Sequence, residues 1–246
     1  MNTLKKIFDI FIPKPTIEVE CFTDQRVIYE AYGPELARDS MPDWWKSMPS
    51  TRKMDTPTYR GLDNATLKRC PHVNQMLTTG IIFPAWLQLN LKTFDKVDVC
   101  EVQTYPENVP LIPHEPQDYA HHKPNMFHGK VMSPWQIREK SGVEFIWTSP
   151  AWHQKDPLKY WTCPAITEFK YQHATIVNLM VPFNSEIKVE VGDPWLQLIP
   201  LSDKRIKLKT ELVTTQELAK LNSLICLLYT SPSPRDLSTS RMPSSA

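Results

Sequence analysis

Apolar and polar side chains alternate along many short segments of the chain. The clearest examples are residues 187–191, where Lys188 and Glu190 separate apolar side chains, and residues 206–212. Successive side chains of a β-strand point to opposite faces, so this alternation predicts strands with one buried face. The segments with this pattern or with a short apolar run are 17–22, 81–83, 86–92, 97–103, 127–132, 143–148, 175–182, 186–191, 195–200 and 205–213.

Helix signals are few by comparison. A single helical turn is predicted within residues 41–49, and a short helix is predicted at 71–79 with Gly80 as its C-terminal cap. Thr214 and Glu217 have the spacing of a capping box that opens a third helix. Closely spaced strands with few helices predict a mainly β fold, namely a β-sandwich, a jelly roll or a distorted barrel with a few short helices.

Composition restricts the classes of function. The chain has 23 Pro and only 6 Gly, which disfavours the glycine-rich loops that bind phosphates and dinucleotides. Its 28 basic and 27 acidic side chains give a net charge of +1, so no overall field attracts nucleic acid or an anionic membrane. No stretch is long enough to span a membrane, and no export signal is recognisable. We therefore expect a soluble, cytoplasmic protein with reduced cysteines at positions 21, 70, 100 and 163.

The end of the chain, residues 226–246, resembles translated sequencing adapter. Residues 226–236 read back into codons similar to the transposase mosaic-end adapter of short-read libraries, and residues 240–246 resemble the flow-cell end of the same adapter. A native Ser/Pro-rich disordered tail would have the same composition but gives no reason for this order of residues. We predict a disordered, non-native tail at 226–246 and one β-rich domain at 1–225, truncated at its C-terminus.

Four motifs occur in a particular order along the chain. They are Pro42–Trp45, Leu67–Pro84, Ser133–Ile137 and Gly192–Pro200. Together they resemble an uncharacterised family found in marine tailed phages and some bacteria, over most of residues 17–213. Because that family has no activity that can be assigned to a residue, the resemblance implies a phage or marine source and no mechanism. A phage-encoded protein would act in the host cytoplasm or in the virion.

One of these motifs has a second resemblance. Gly192–Ile199 has the pattern Gly-Asp-x-x-x-Gln-apolar-apolar, which is similar to a hairpin of the dUTPase and dCTP deaminase β-barrels. The catalytic Asp motif that activates water in that family is not recognisable in this sequence. The resemblance therefore implies shared barrel packing, with nucleotide binding without catalysis as the alternative.

Histidines concentrate in a proline-rich loop. Imidazole and carboxylate groups share one segment of this loop, at His114, Glu115, Asp118, His121, His122 and His128. Such groups bind iron or zinc, and His153 or His173 could supply a remaining ligand. The first candidates for metal ligands are His121, His122 and His128. The spacing matches no recognised metal signature, so the alternative is that these histidines contact water or backbone.

Aromatic residues offer another candidate site. Trp135, Trp147, Trp152 and Trp161 could form a platform on which a sugar, a base or a peptide stacks. Tryptophans more often fill a core or anchor loops, which is the alternative role for all four.

Basic residues alternate at the last predicted strand, at Lys204, Arg205, Lys207 and Lys209. They could contact phosphate, but lysines on an exposed edge strand also prevent pairing with other sheets. We expect the second role.

No convergent set of catalytic residues is recognisable. The leading hypothesis is a phage-type protein that works by binding or assembly, with a protein partner or a second copy of itself. One alternative is a metal-dependent, cupin-like enzyme that uses the His114–His128 loop with iron or zinc as cofactor. The other alternative is a dUTPase-like nucleotide-binding barrel that lacks the catalytic Asp.

Overall fold

Short strands make up most of the fold. The computed structural model describes residues 15–52, 64–96, 98–107, 109, 111–114, 125–154, 160–170 and 173–221. Within these ranges the strands are β1 (Thr16–Thr23), β2 (Glu35–Leu36), β3 (Ile81–Pro84), β4 (Gln88–Thr93), β5 (Cys100–Tyr105), β6 (Leu111–Pro113), β7 (Met126–Arg138), β8 (Glu144–Thr148), β9 (Trp161–Thr162), β10 (Ala165–Glu168), β11 (Ala174–Pro182), β12 (Glu186–Val189), β13 (Pro194–Pro200) and β14 (Arg205–Leu212). The helices are α1 (Arg26–Ala31), α2 (Asp43–Ser47), a 3₁₀ turn (Leu67–Arg69) and α3 (Pro71–Thr78), and residues 215–221 are also helical.

The strands form three sheets. Sheet A has the order β14-β1-β7-β11-β9, with β6 also paired to β7. Sheet B has the order β10-β8-β13-β3-β2, and sheet C has the order β12-β4-β5. Among the described strands only β1 and β14 pair in parallel, from Thr16 opposite Arg205 to Thr23 opposite Leu212. The sheets curl into a half-barrel, which confirms the prediction of a mainly β fold of the sandwich or distorted-barrel kind.

An apolar core joins side chains from all three sheets. On β11, Val177, Leu179 and Val181 are buried and the residues between them are not, as expected for a strand with one buried face. Consecutive buried residues at Ile81–Phe83 show that β3 is covered on both faces. The largest fully buried side chains of this core are Trp135, Trp195, Phe83, Phe127, Phe145 and Phe169.

Strand β7 is longer than the sequence predicts, because it runs through Pro134. The alternation predicts a strand at 127–132, whereas β7 covers Met126–Arg138. Close to this proline, the pairing register of β11 shifts between Ala174 and Ile176. A bulge of this kind leaves ladder positions unpaired, so it accommodates a residue that has no N–H to donate.

The end of α3 is fixed against sheet B. Gly80 follows the helix with φ +95°, in agreement with its predicted role at the helix C-terminus. The buried side chain of Gln197 donates from Nε2 to the carbonyl oxygens of Met76 (2.7 Å) and Thr79 (3.0 Å). An ideal Cβ on Gly80 would lie 2.2 Å from the carbonyl oxygen of Leu198. This close approach of helix and strand therefore requires glycine at position 80.

The predicted capping box is confirmed. Glu217 N donates to Thr214 Oγ1 at 3.3 Å, and Thr214 N donates to Glu217 Oε2 at 2.9 Å.

In the part of the chain that the structure describes, no helix is long and apolar enough to cross a membrane. The predicted adapter-derived tail at 226–246 lies outside the described residues.

We predict that Gly80→Ala destabilises the fold by more than about 3 kcal/mol, because the new methyl group overlaps backbone and the residue must keep a positive φ. Urea unfolding followed by circular dichroism measures this change. Gly33→Ala is the matched control, since an ideal Cβ there lies 3.6 Å from the nearest non-adjacent atom, the Tyr29 carbonyl oxygen. The control should change the free energy of unfolding by less than about 1 kcal/mol. Equal effects of the two substitutions would contradict the close contact at Gly80.

Candidate functional site

Two of the four tryptophans of the predicted platform lie in the core. Trp135 is 0% exposed and Trp147 is 5% exposed, so their ring faces are not available to a surface ligand. Trp152 is half-buried beside Trp44, with 6.4 Å between ring centroids, and Trp161 on β9 is 37% exposed. The four rings therefore do not form one surface platform. A stacking role stays a prediction for Trp152 and Trp161.

A cleft of about 220 Å³ opens between strands of sheet A and sheet B. It is bordered by Trp147 of β8, by Ala165, Ile166 and Thr167 of β10, and by Ala174, Ile176 and Asn178 of β11. Ile166 is 65% exposed, and Ile176 is also exposed. The cleft therefore has apolar walls that solvent can reach.

This cleft lies where the hydrogen-bond ladders of two strands end. β10 pairs with β8 from Ala165 to Glu168, and no described strand pairs with its other edge. β11 pairs with β7 on one edge, but on the other edge it pairs with β9 only at Leu179 and Met180. Within the described residues, the edge of β11 before Leu179 therefore carries no paired strand.

Backbone groups of β11 point toward this open edge. The Asn178 carbonyl oxygen accepts a hydrogen bond from the Cys163 N–H at 2.8 Å, just after β9. Backbone groups of residues two apart in a strand point to the same side. The N–H and C=O of Ile176 therefore face the side on which β9 lies, where the ladder has already ended.

The indole of Trp147 adds a buried donor at the cleft. Its Nε1 has no hydrogen-bond partner among the described residues. The same holds for Trp86, Trp135 and Trp195, but among these four residues only Trp147 borders the cleft. A buried donor without an acceptor costs about 1–3 kcal/mol.

The chemistry of the cleft suits binding of an uncharged group. None of the described side chains that border it carries a charge. The polar side chains among them are Thr167, Thr175 and Asn178, and the Thr175 hydroxyl already donates to the Trp135 carbonyl oxygen at 2.9 Å. The described part of the lining contains no His, Cys, Asp, Glu or Lys that could act as a general base or an activated nucleophile.

The predicted metal ligands are only partly described. His121 and His122 lie outside the described residues, whereas His128 lies on β7. The His128 ring stacks on His114 with 4.2 Å between centroids, and the His114 N–H donates to the His128 carbonyl oxygen at 3.0 Å. Among the described residues no group of three or more His, Cys, Asp or Glu is arranged to hold a metal ion. Iron or zinc binding stays a prediction that depends on His121 and His122.

The two histidines suggested as remaining ligands are buried. His173 Nδ1 lies 2.9 Å from the Ile137 carbonyl oxygen, and the Ile137 N–H donates to the His173 carbonyl oxygen at 2.8 Å. His153 is buried, burial lowers its pKa, and neither of its ring nitrogens has a hydrogen-bond partner among the described residues. The contacts of His173 join β7 to the segment before β11.

The hairpin that resembles dUTPase uses its polar residues for folding. Gly192 has φ +87° and its N–H donates to the Ala85 carbonyl oxygen at 2.8 Å. Asp193 Oδ2 accepts a hydrogen bond from the Glu190 N–H at 3.2 Å. Gln197 holds the end of α3. These contacts support shared barrel packing as the reason for the motif.

The sequence predictions missed most of the cleft. β10 was not predicted, because four residues that follow Pro164 are too short a segment for alternation to be recognised. Asn178 lies on the predicted strand 175–182, where it appears only as one of the outward-facing residues. Of the predicted site residues that the structure describes, Trp147 alone borders the cleft.

We predict that protonation of His128 destabilises the fold. Burial, and then the nearby charges of His114 and Lys130, lower the pKa of His128 to about 4 from its ordinary value of 6.5. Between these pH values the unfolded chain binds a proton that the folded chain does not bind, so this contribution to stability is complete above pH 6.5 and is lost as the pH falls toward 4.

Urea unfolding between pH 4 and pH 7 measures the effect. His128→Phe keeps an aromatic ring beside His114 and should flatten the pH dependence by at most about 1.4 kcal/mol per pH unit, reduced because the ring is only half-buried. His72→Asn, at an exposed position on α3, is the control and should leave the slope unchanged. An unchanged slope in His128→Phe would refute the prediction.

Comparisons with known proteins do not assign a function to this chain. No protein-family model, no curated protein and no solved structure matches this chain.

Proposed function

We propose that this protein binds an extended, uncharged peptide segment of a partner protein, which adds as a strand between β10 and β11. The observation that carries this proposal is that two strand edges border the same uncharged cleft. An extended peptide supplies N–H and C=O groups at the spacing that such edges require. Binding by strand addition needs no catalytic group, and the described residues that border the cleft include no general base or activated nucleophile.

Side-chain selectivity follows from the two faces of the added strand. Alternate side chains of the peptide would point to opposite faces. On one face they would contact Ile166 and Ile176, which favours β-branched apolar residues. On the other face they would approach the Trp147 indole, which favours a side chain with an acceptor, such as Thr or Asn. Charged residues are disfavoured at both positions, because no side chain of the lining neutralises a charge.

This function agrees with the hypothesis of a binding or assembly protein. The resemblance to a phage family supports a phage-encoded protein that acts in the host cytoplasm or in the virion, where assembly depends on contacts between proteins. The metal-dependent, cupin-like enzyme and the dUTPase-like nucleotide-binding barrel stay as alternatives. No contact of the described residues favours either of them over peptide binding.

The experiment uses the full chain and the acetylated, amidated peptide Lys-Thr-Val-Thr-Val-Thr-Lys, whose terminal lysines keep it soluble. Peptide is titrated into ¹⁵N-labelled protein, and the indole N–H resonance of Trp147 is followed after assignment with Trp147→Phe. We predict a saturable shift of this resonance with a dissociation constant on the order of 1 mM or tighter. A matched peptide that is N-methylated at alternate residues should bind at least about tenfold more weakly, because it cannot complete the ladder.

Variants of the cleft separate this site from other apolar surfaces. Ile176→Lys should weaken binding by at least about tenfold, because it places a charge in the uncharged cleft. Ile112→Lys is the control, since Ile112 is an exposed isoleucine on β6 that does not border the cleft. The proposal fails if the methylated peptide binds as well as the unmodified one, or if the two variants weaken binding equally.

A further inference from the structure

A separate pocket of about 140 Å³ lies between the end of α3, the segment after β2 and the start of β14. Arg38, Thr78, Thr79, Lys204 and Arg205 border it. It shares no lining residue with the cleft between β10 and β11. Any ligand of this pocket is therefore independent of the proposed peptide.

Positive charge is concentrated in this pocket. Arg38, Lys204 and Arg205 all border it, and no described carboxylate does. Asp39 Oδ1 lies 3.8 Å from Arg38 Nε, and the exposure of both side chains makes this ion pair weak. Lys204 and Arg205 form no ion pair with a described carboxylate. Like charges held together in this way are stabilised by a bound anion.

The neighbouring basic residues of β14 differ from Arg205. Glu18 of β1 pairs with Lys207 at 3.3 Å and with Lys209 at 2.6 Å, and the hydrogen bond from Lys209 lowers the pKa of Glu18. The parallel register places Thr16 opposite Arg205, so the carboxylate series of β1 ends before this position. Lys207 and Lys209 are therefore neutralised by Glu18 on an edge strand, whereas no described carboxylate neutralises Arg205.

Backbone contacts fix the segments that carry these cations. The Arg205 N–H donates to the Pro15 carbonyl oxygen at 3.0 Å, and the Lys204 N–H donates to Ser202 Oγ at 3.2 Å. On the other wall, the Ala37 N–H donates to the Gly80 carbonyl oxygen at 3.0 Å, directly before Arg38. These hydrogen bonds fix the backbone from which the charged side chains extend on both walls.

The end of α3 is also compatible with an anion. The C-terminus of a helix carries partial negative charge on its last carbonyl groups. Gln197 donates to the carbonyl oxygens of Met76 and Thr79, which reduces this charge. Thr79 borders the pocket, and a threonine hydroxyl can donate a hydrogen bond to an anion.

We infer that this pocket binds a phosphate group, as inorganic phosphate or as a small phosphate monoester, through Arg38, Lys204 and Arg205. Guanidinium groups donate two parallel hydrogen bonds to phosphate oxygens, and the lysine ammonium adds a third charged donor. The pocket is smaller than the roughly 300–1,000 Å³ of sites that hold drug-sized ligands, so the group it selects is compact.

The test is calorimetric titration of the full chain with sodium phosphate in a phosphate-free buffer at constant ionic strength. We predict half-saturation at or below about 1 mM. Arg205→Gln and Arg38→Gln should each weaken binding by at least about tenfold. Lys207→Gln is the matched control on the same strand and should change affinity by less than about twofold, because Glu18 already neutralises Lys207. Circular dichroism and melting without phosphate show whether each variant is folded.

A second titration with O-phosphoserine amide distinguishes the two sources of the group. Saturable binding of either ligand that is lost in Arg205→Gln and kept in Lys207→Gln supports the site, and the tighter ligand identifies the source. Absence of saturation by both ligands at about 10 mM overturns the inference. Equal weakening in Arg205→Gln and Lys207→Gln also overturns it, because it would indicate a diffuse basic surface.

Discussion

The antiparallel pairing of β7 with β11 is the interaction on which the rest of the described structure depends. It brings Phe127 and Val131 from one strand and Val177 and Leu179 from the other into the apolar core. β1 and β6 add to β7, and Glu20 of β1 is bound by Arg138 of β7 at 2.7 Å, which lowers the pKa of Glu20. Because the other edge of β11 is paired only at β9, the same strand that organises the core also borders the cleft.

The two candidate sites have a common structural origin and opposite chemistry. Each lies where strand pairing or carboxylate pairing stops. At β11 the ladder with β9 stops before Leu179, so the backbone groups before this residue have no paired strand among the described residues. The described side chains beside this edge are uncharged. At β14 the series of cross-strand carboxylates stops at Glu18, and Arg205 borders the same pocket as Arg38. Strand edges and apolar side chains border the first site, and cationic side chains border the second.

The residues first suggested for function have mostly structural roles where they are described. Trp135 fills the core, and His173 joins β7 to the segment before β11. Gln197 holds the end of α3. Such residues combine apolar area with a polar tip, so their type alone fits a core contact and a ligand contact equally well. Only burial and hydrogen-bond partners distinguish the two roles, and both depend on segments distant in the sequence.

The sequence by itself determined the local structure of this protein: the strand alternation, the capping box at Thr214 and the glycine needed after α3 at Gly80. The alternation, the capping box and the positive φ of Gly80 depend on geometry within a few residues, which spacing records directly, whereas the close approach of Leu198 to Gly80 is a tertiary contact. Tertiary structure alone decided that β7 continues through Pro134 by means of a bulge, that β10 and β11 leave an open cleft, and that Arg38 and Arg205 border the same pocket. Those arrangements depend on the register between paired strands and on contacts between residues far apart in the chain. The alternation of apolar and polar residues along one strand does not specify either of them.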